Sequence, residues 1–292
     1  MIYEIRHVTT YNYESSVSFA RCSLRLQPCS SAGQQLVSHV IDIKPAPSTR
    51  SKRTDFFGTQ TESILIDNPH RLLRIDSRSR VYVERFAPSR GDHSPAWENV
   101  REASFDSNEL SGASPVSYVF PSPLVPIVDA VTAYAATSFT PGRGILAAAV
   151  DLMSRIYDEF EYDPKATVIS TPLTEVIEKR HGVCQDFAHI MISGMRGLGL
   201  PAAYVSGYLR TIPPPGKERL QGADATHAWV SVWCGEALGW IGFDPTNDIL
   251  VENDHIVLAT GRDFSDVSPV DGVIVGARKQ KLAVAVDVLL LE

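Results

Sequence analysis

The stretch "HGVCQDFAHI", residues 181–190, sets a cysteine directly after Gly182-Val183 and directly before a run of helical periodicity. Beyond Cys184, the residues Phe187, Ala188, Met191, Ile192, Met195 and Leu198 make one apolar stripe that stops near Gly199-Leu200-Pro201. Cys184 is thus expected in the first turn of a helix. There, unpaired backbone N–H groups and the positive end of the helix dipole favour thiolate over thiol. Gly182 is expected to take a positive φ and turn the chain sharply into that helix. Three local readings of Cys184 stay open: a nucleophile, a metal ligand, or the first buried residue of the stripe. Asp186 is equally ambiguous, because a carboxylate stabilises a helix start but opposes thiolate if it is aimed at the sulfur.

Upstream, residues 127–139 and 145–160 carry apolar residues at helical spacing. "TPLTEVIEKRHG" (171–182) opens on Thr-Pro and closes on a basic turn, as a capped helix does. Downstream the pattern changes to strands at 202–210, 226–234, 239–245 and the alternating 281–290. Helices followed by an antiparallel sheet predict an α+β domain over 126–292.

The first hundred residues read differently. Alternation of period two puts Tyr3, Ile5, His7, Thr9 and Tyr11 on one face, and short breakers such as "NPHR" and "PSRGDHSP" interrupt the strands. This predicts an N-terminal β-sandwich-like domain over 1–100. Residues 101–125, rich in Ser and Pro, are expected to be a linker. "IPPPGK" (212–217) reads as a stiff exposed loop.

Length favours two domains. The net charge of -7 gives no attraction to phosphate backbones or anionic lipid, so neither nucleic acid nor a membrane is an expected partner. The start, "MIYEIRHVTTYNY", alternates like a strand and lacks the basic and apolar regions of an export signal. The apolar run "GILAAAV" falls far short of a bilayer crossing. Four cysteines with no CxxC pair predict free thiols and a cytoplasmic location.

A nucleophilic thiol needs a base and a group to orient it. In "DATHAWVSVW", alternation puts His227 on a strand face with Trp229, Ser231 and Trp233, shielded from water, although a core histidine fits the same pattern. In "GWIGFDPTND", Pro245 forces Asp244 into an extended conformation at the end of the next strand. A hairpin through Cys234-Gly235-Glu236 can bring Asp244 beside His227, where a carboxylate would hold the imidazole. Alone, Asp244 also reads as a turn residue.

The ordered set Cys184, His227 and Asp244 resembles the transglutaminase-like superfamily, whose core pattern "HGVCQDFAHIM", "THAWVSVW" and "GWIGFDPTND" follow in order. "FEYDP", "TPLTEVIEKR" and "GLPAAYVSGYL" fit the surroundings in its bacterial group, and the first ninety residues look like that group's N-terminal β domain. The resemblance implies a papain-like arrangement with Cys184, His227 and Asp244 as a triad acting on a protein or peptide substrate, with no cofactor. Its bacterial members are generally regarded as cysteine proteases. Peptide or amide hydrolysis through a thioester is therefore the first expectation. Transamidation of glutamine by amines is the second, and a non-catalytic protein-binding scaffold the third.

The backbone N–H of Cys184 is the natural first oxyanion donor. The resemblance suggests Tyr162 as the second, a core tyrosine being the alternative, and Trp229 as a wall of the acyl site or a packing residue. Ser231 departs from the acidic residue of many relatives, and "TIPPPGKERLQG" (211–222) matches no family pattern.

His181, Cys184, His189, His227 and Cys234 invite a zinc reading. However, Cys184 and His189 would point roughly 140° apart around a helix, and Cys234 faces away from His227, so no metal is expected. Asp248, Glu252 and Asp254 lack the spacing of a calcium loop and read as a solvated turn. His7, His39, His70, His93 and His255 have no partner pattern.

Overall fold

The computed structural model describes residues 1–85, 88, 93–211 and 226–291. The fold is α+β with antiparallel sheets. The N-terminal part supplies β1 (Ile2–Val17), β2 (Phe19–Leu24), β3 (Gln34–Lys44), β4 (Thr49–Thr54), β5 (Gln60–Ile66) and β6 (His70–Val83). Tyr3, Ile5, His7, Thr9 and Tyr11 are all buried along β1, as the alternation predicts. There follow α1 (Trp97–Phe105), a 3-10 turn at Pro115–Tyr118, α2 (Asp129–Ala136), α3 (Ile145–Glu159), β7 (Glu161–Tyr162), α4 (Leu173–Lys179), β8 (His181–Gly182) and α5 (Cys184–Gly197). Strands β9 (Ala202–Leu209), β10 (Thr226–Trp233), β11 (Trp240–Asp244), β12 (Ile249–Leu250) and β13 (His255–Gly261) precede α6 (Phe264–Val267), β14 (Val270–Val275) and β15 (Gln280–Leu290).

Two four-stranded sheets, β15-β1-β6-β3 and β14-β2-β5-β4, form the β module, and a five-stranded sheet, β12-β11-β10-β9-β13, lies under the helices. The alternating segment 281–290 is a strand, but it does not join the five-stranded sheet of the C-terminal half. It runs antiparallel to β1 from Tyr3↔Leu290 to Tyr13↔Gln280, and β14 pairs with β2 in the same module. Local alternation specifies a strand and its faces, but the partner is fixed by burial far along the chain.

The segment read as a linker also packs. Tyr118, Val119 and Val125 are buried, and the Tyr118 hydroxyl donates to the Gly112 carbonyl at 2.6 Å. The "IPPPGK" loop and the tip of "PSRGDHSP" lie outside the described residues.

Helix α5 buries Phe187, Ile190 and Met191 in one core with Ala228, Val230 and Val232 of β10, the strand face predicted to point away from His227. The β module meets the other part of the fold through a separate apolar cluster, Tyr3, Ile5, Val81 and Val83 against Tyr208, Ile256 and Leu258. Polar contacts pin this seam. Gln34 donates to the carbonyls of Cys29 and Val257 (2.7 and 2.8 Å) and accepts from the Val257 N–H and Arg85 (both 2.8 Å). The Tyr3 hydroxyl donates to Asp254 at 2.9 Å.

Candidate active site

Helix α5 begins at Cys184, so the sulfur stands at the N-terminal mouth of a 14-residue helix and is partly exposed. The sharp turn before it is made differently from the expectation. The left-handed residue is Arg180 (φ 53), and Gly182 is not in the positive-φ region. Gly182 matters for space: a Cβ there would lie 2.7 Å from both Cβ and Oδ2 of Asp186. Asp186 turns back over this gap, its Oδ2 accepting from the Val183 N–H at 2.8 Å and the Thr167 hydroxyl at 2.6 Å. The carboxylate therefore caps the helix start, and burial raises its pKa.

Strands β10 and β11 pair antiparallel from Val230↔Phe243 to Trp233↔Trp240, and their far ends bring two side chains together. His227 Nε2 lies 2.7 Å from Asp244 Oδ2. Asp244 is fully buried, and the His227 side chain is 10% exposed. Burial alone would lower the His227 pKa, but the hydrogen bond to Asp244 and the negative charges of Asp244 and the nearby Cys184 outweigh it and raise the value to about 10. Burial likewise opposes ionisation of Asp244, but His227 and His255 hold its carboxyl well below the usual carboxylate range. His227 is thus hydrogen-bonded to the buried Asp244, and Cys184 lies near enough for its charge to act on the ring; with Nε2 turned to the carboxylate, Nδ1 is the ring nitrogen the carboxylate does not engage.

Two residues with no predicted role join them. Asn247 Nδ2 donates to Asp244 Oδ2 at 2.7 Å, and His255 Nε2 lies 3.1 Å from the same oxygen. The Thr246 N–H reaches Oδ1 at 3.0 Å. No local signal marks His255, which opens a strand two positions away in the sheet from β10.

His227, Asp244 and His255 form the one cluster of metal-ligand type among the described residues. Their Nε2–Oδ2 separations of 2.7 and 3.1 Å are hydrogen-bond distances. Two ligands of a tetrahedral zinc ion stand about 3.3 Å apart. His189 and Cys234 are not part of this cluster. His189 is buried against Tyr204, ring centroids 5.0 Å apart, and accepts from the Phe264 N–H at 3.4 Å; Cys234 is buried, its thiol pushed up to about 12. Of the acidic turn, Asp248 accepts from the Ser154 hydroxyl at 2.6 Å and Asp254 pairs with Arg210 at 2.7 Å.

Tyr162 is 53% exposed and sits beside the helix mouth, its backbone paired with Gly182 in a parallel bridge and its ring 6.4 Å from that of Phe187. Burial and the nearby Cys184 charge both raise its pKa. Trp229, by contrast, is 1% exposed among Val205, Val251 and Val257, with its ring edge-on to His255 at 5.1 Å. It offers no surface to an acyl group and packs beneath the imidazoles.

Residues 3–82 match the bacterial transglutaminase-like N-terminal region, and residues 132–245 match the transglutaminase-like superfamily. An uncharacterized protein of Mycobacterium tuberculosis is 42% identical over 99% of this chain and 93% of its own length. A protein-glutamine gamma-glutamyltransferase of Pseudomonas aeruginosa is 30% identical over 35% of this chain and 16% of its own length. The crystal structure of a "putative cysteine protease" from Cytophaga hutchinsonii superposes with a TM-score of 0.77 at 20% identity, covering 100% of this chain and 91% of that one.

Proposed function

The chain belongs to the transglutaminase-like superfamily, and we propose that it is a cysteine-nucleophile acyl-transfer enzyme that hydrolyses peptide or amide bonds. The observation that carries this reading is the 2.7 Å pairing of His227 with the buried Asp244, with Cys184 at the helix mouth near enough for its charge to act on the imidazole. Asp244 stabilises the imidazolium form of His227, and the imidazolium pairs with a thiolate at the helix mouth. The thiolate attacks the acyl carbon, and the carbonyl π pair moves onto oxygen. The Cys184 N–H, one of the unpaired donors of the helix start, faces the oxyanion, with the Tyr162 hydroxyl as the second donor. His227 gives its proton to the leaving amine as the C–N bond breaks, which leaves a thioester. Water then attacks, its proton passing to His227 as the C–S bond breaks, which releases the carboxylic acid and restores the thiolate–imidazolium pair.

Partial exposure of Cys184 favours water as the second nucleophile. The second reading, transfer to a primary amine, is favoured by the 30% identity over 109 residues to the named Pseudomonas enzyme.

A panel of unfolded proteins incubated with the enzyme and a fluorescent amine separates the two. New amino termini or released ammonia without incorporated label indicate hydrolysis, and label on protein indicates transfer. Cys184→Ala abolishes either. Full activity in a folded Cys184→Ala protein would remove the assignment.

A further inference from the structure

We propose that His255 is a positioning residue for this chemistry: a neutral imidazole whose Nε2–H holds the Asp244 carboxylate in the orientation that faces His227. The inference rests on the reading of Cys184, His227 and Asp244 given above.

One oxygen, Asp244 Oδ2, takes three donors: His227 Nε2 and Asn247 Nδ2 at 2.7 Å, and His255 Nε2 at 3.1 Å. A carboxylate can be aimed by such a set only if each donor is itself fixed, and His255 is fixed from every side. It is 1% exposed, its ring is edge-on to Trp229 (78°), and it is tilted 43° to the His227 ring at 6.2 Å. Its backbone N–H donates to the Glu252 carbonyl at 3.3 Å, and its carbonyl accepts from Arg85 of the β module. The strand between leaves room for the Trp229 ring that packs against His255. Gly207 of β9 stands opposite both His227 and Val257, and a Cβ there would lie 2.2 Å from the Ile256 carbonyl and 2.4 Å from the Trp229 ring.

The other ring nitrogen decides the proton. His255 Nδ1 is buried and has no hydrogen-bond partner among the described residues. As a bare lone pair it costs less than as the N–H of an imidazolium, which would be an unpaired buried donor on a charged ring. The ring is therefore neutral with its single proton on Nε2, aimed at the carboxylate. Burial, the neighbouring His227 charge and Arg85 lower its pKa against the pull of Asp244. The two histidines on one carboxylate so divide the work: His227 carries the moving proton, and His255 keeps its own.

Iodoacetate and iodoacetamide alkylation of Cys184, followed by peptide mapping from pH 4 to 11, tests this without a substrate. An anionic reagent is drawn to the imidazolium, so the iodoacetate-to-iodoacetamide rate ratio falls where His227 loses its proton. His255→Phe keeps a ring but removes the donor. It should free the carboxylate to rotate off Nε2 and move that fall toward neutrality by about one pH unit or more. His255→Gln, which restores an N–H, should recover most of the shift, and in an Asp244→Asn background His255→Phe should add nothing. An unchanged or upward-moved limb in folded His255→Phe, or a shift that persists in Asp244→Asn, would overturn the proposal. If Asp244→Asn itself leaves the limb in place, the reading of the site fails as well; if only His255→Phe is silent, the inference on His255 falls alone. Histidine-selective ¹⁵N NMR of the unaltered protein gives an independent check. A neutral Nε2–H tautomer at pH 7 is expected for His255, and a charged ring or the Nδ1–H tautomer would overturn it.

Discussion

His227 and Asp244 approach to 2.7 Å at the adjoining ends of two antiparallel strands, with the carboxylate fully buried. Asp244→Asn keeps the volume but loses the charge that stabilises imidazolium. The turnover of Cys184-dependent acyl transfer should fall about 10³-fold or more with the fold intact. A circular dichroism spectrum together with a burst of acyl-enzyme measured by mass spectrometry checks both statements; turnover within a few-fold of the unaltered protein would contradict the orienting role.

The same pair makes stability depend on pH at the alkaline end. His227 is raised above its ordinary value, so its contribution is complete below about pH 6.5 and is lost as the pH rises through about 10. Urea midpoints from pH 7 to 10.5 should fall more steeply for the natural protein than for His227→Gln.

At the acid end two other histidines act. His7 sits between the Tyr208 and Thr9 hydroxyls at 3.0 and 3.1 Å, and His189 lies beneath Tyr204. Burial lowers each to about 4. Between their unfolded value near 6.5 and 4 the unfolded chain binds protons that the native chain does not, so stability drops as pH falls through this window. The loss is about 3 kcal/mol per ring at pH 4. Denaturant titrations should show a shallower acid slope for His189→Gln, and an equal slope would argue against the neutral buried ring.

Gly182→Ala should drive a methyl group into Asp186, 2.7 Å away. The cost is about 1–3 kcal/mol. Because Asp186 also holds the N–H of Val183, the residue before Cys184, the alkylation rate of Cys184 should change along with the melting temperature. A lower melting temperature with an unaltered alkylation rate would separate the cap from the thiol.

Gln34→Ala leaves the Val257 N–H and two carbonyls short of a partner. We expect a loss of about 2–4 kcal/mol in urea unfolding, with hydrogen exchange rising first along β13.

Much of this was legible locally. Cys184 does begin a helix, His227 and Asp244 do lie on neighbouring strands, and the β1 alternation gives its buried face, because each depends on periodicity or on a single breaker such as Pro245. What failed depended on distant partners. The Ser- and Pro-rich stretch before Pro126 contains Tyr118, whose ring packs edge-on to Trp240 at 5.1 Å, a contact across more than a hundred residues. His255 carries no spacing signal because its partner is set by the order of strands in the sheet. Gly182 reads as a conformational glycine, yet its constraint is the side chain four residues later.

Pairing of β15 with β1 extends to the Leu291 N–H, which donates to the Ile2 carbonyl at 2.8 Å. The helices and the five-stranded sheet are therefore spliced into the β module as an excursion of the chain. On a ribosome the first six strands emerge long before the two that complete their sheets, so they wait half-built while the helices and the five-stranded sheet are already made.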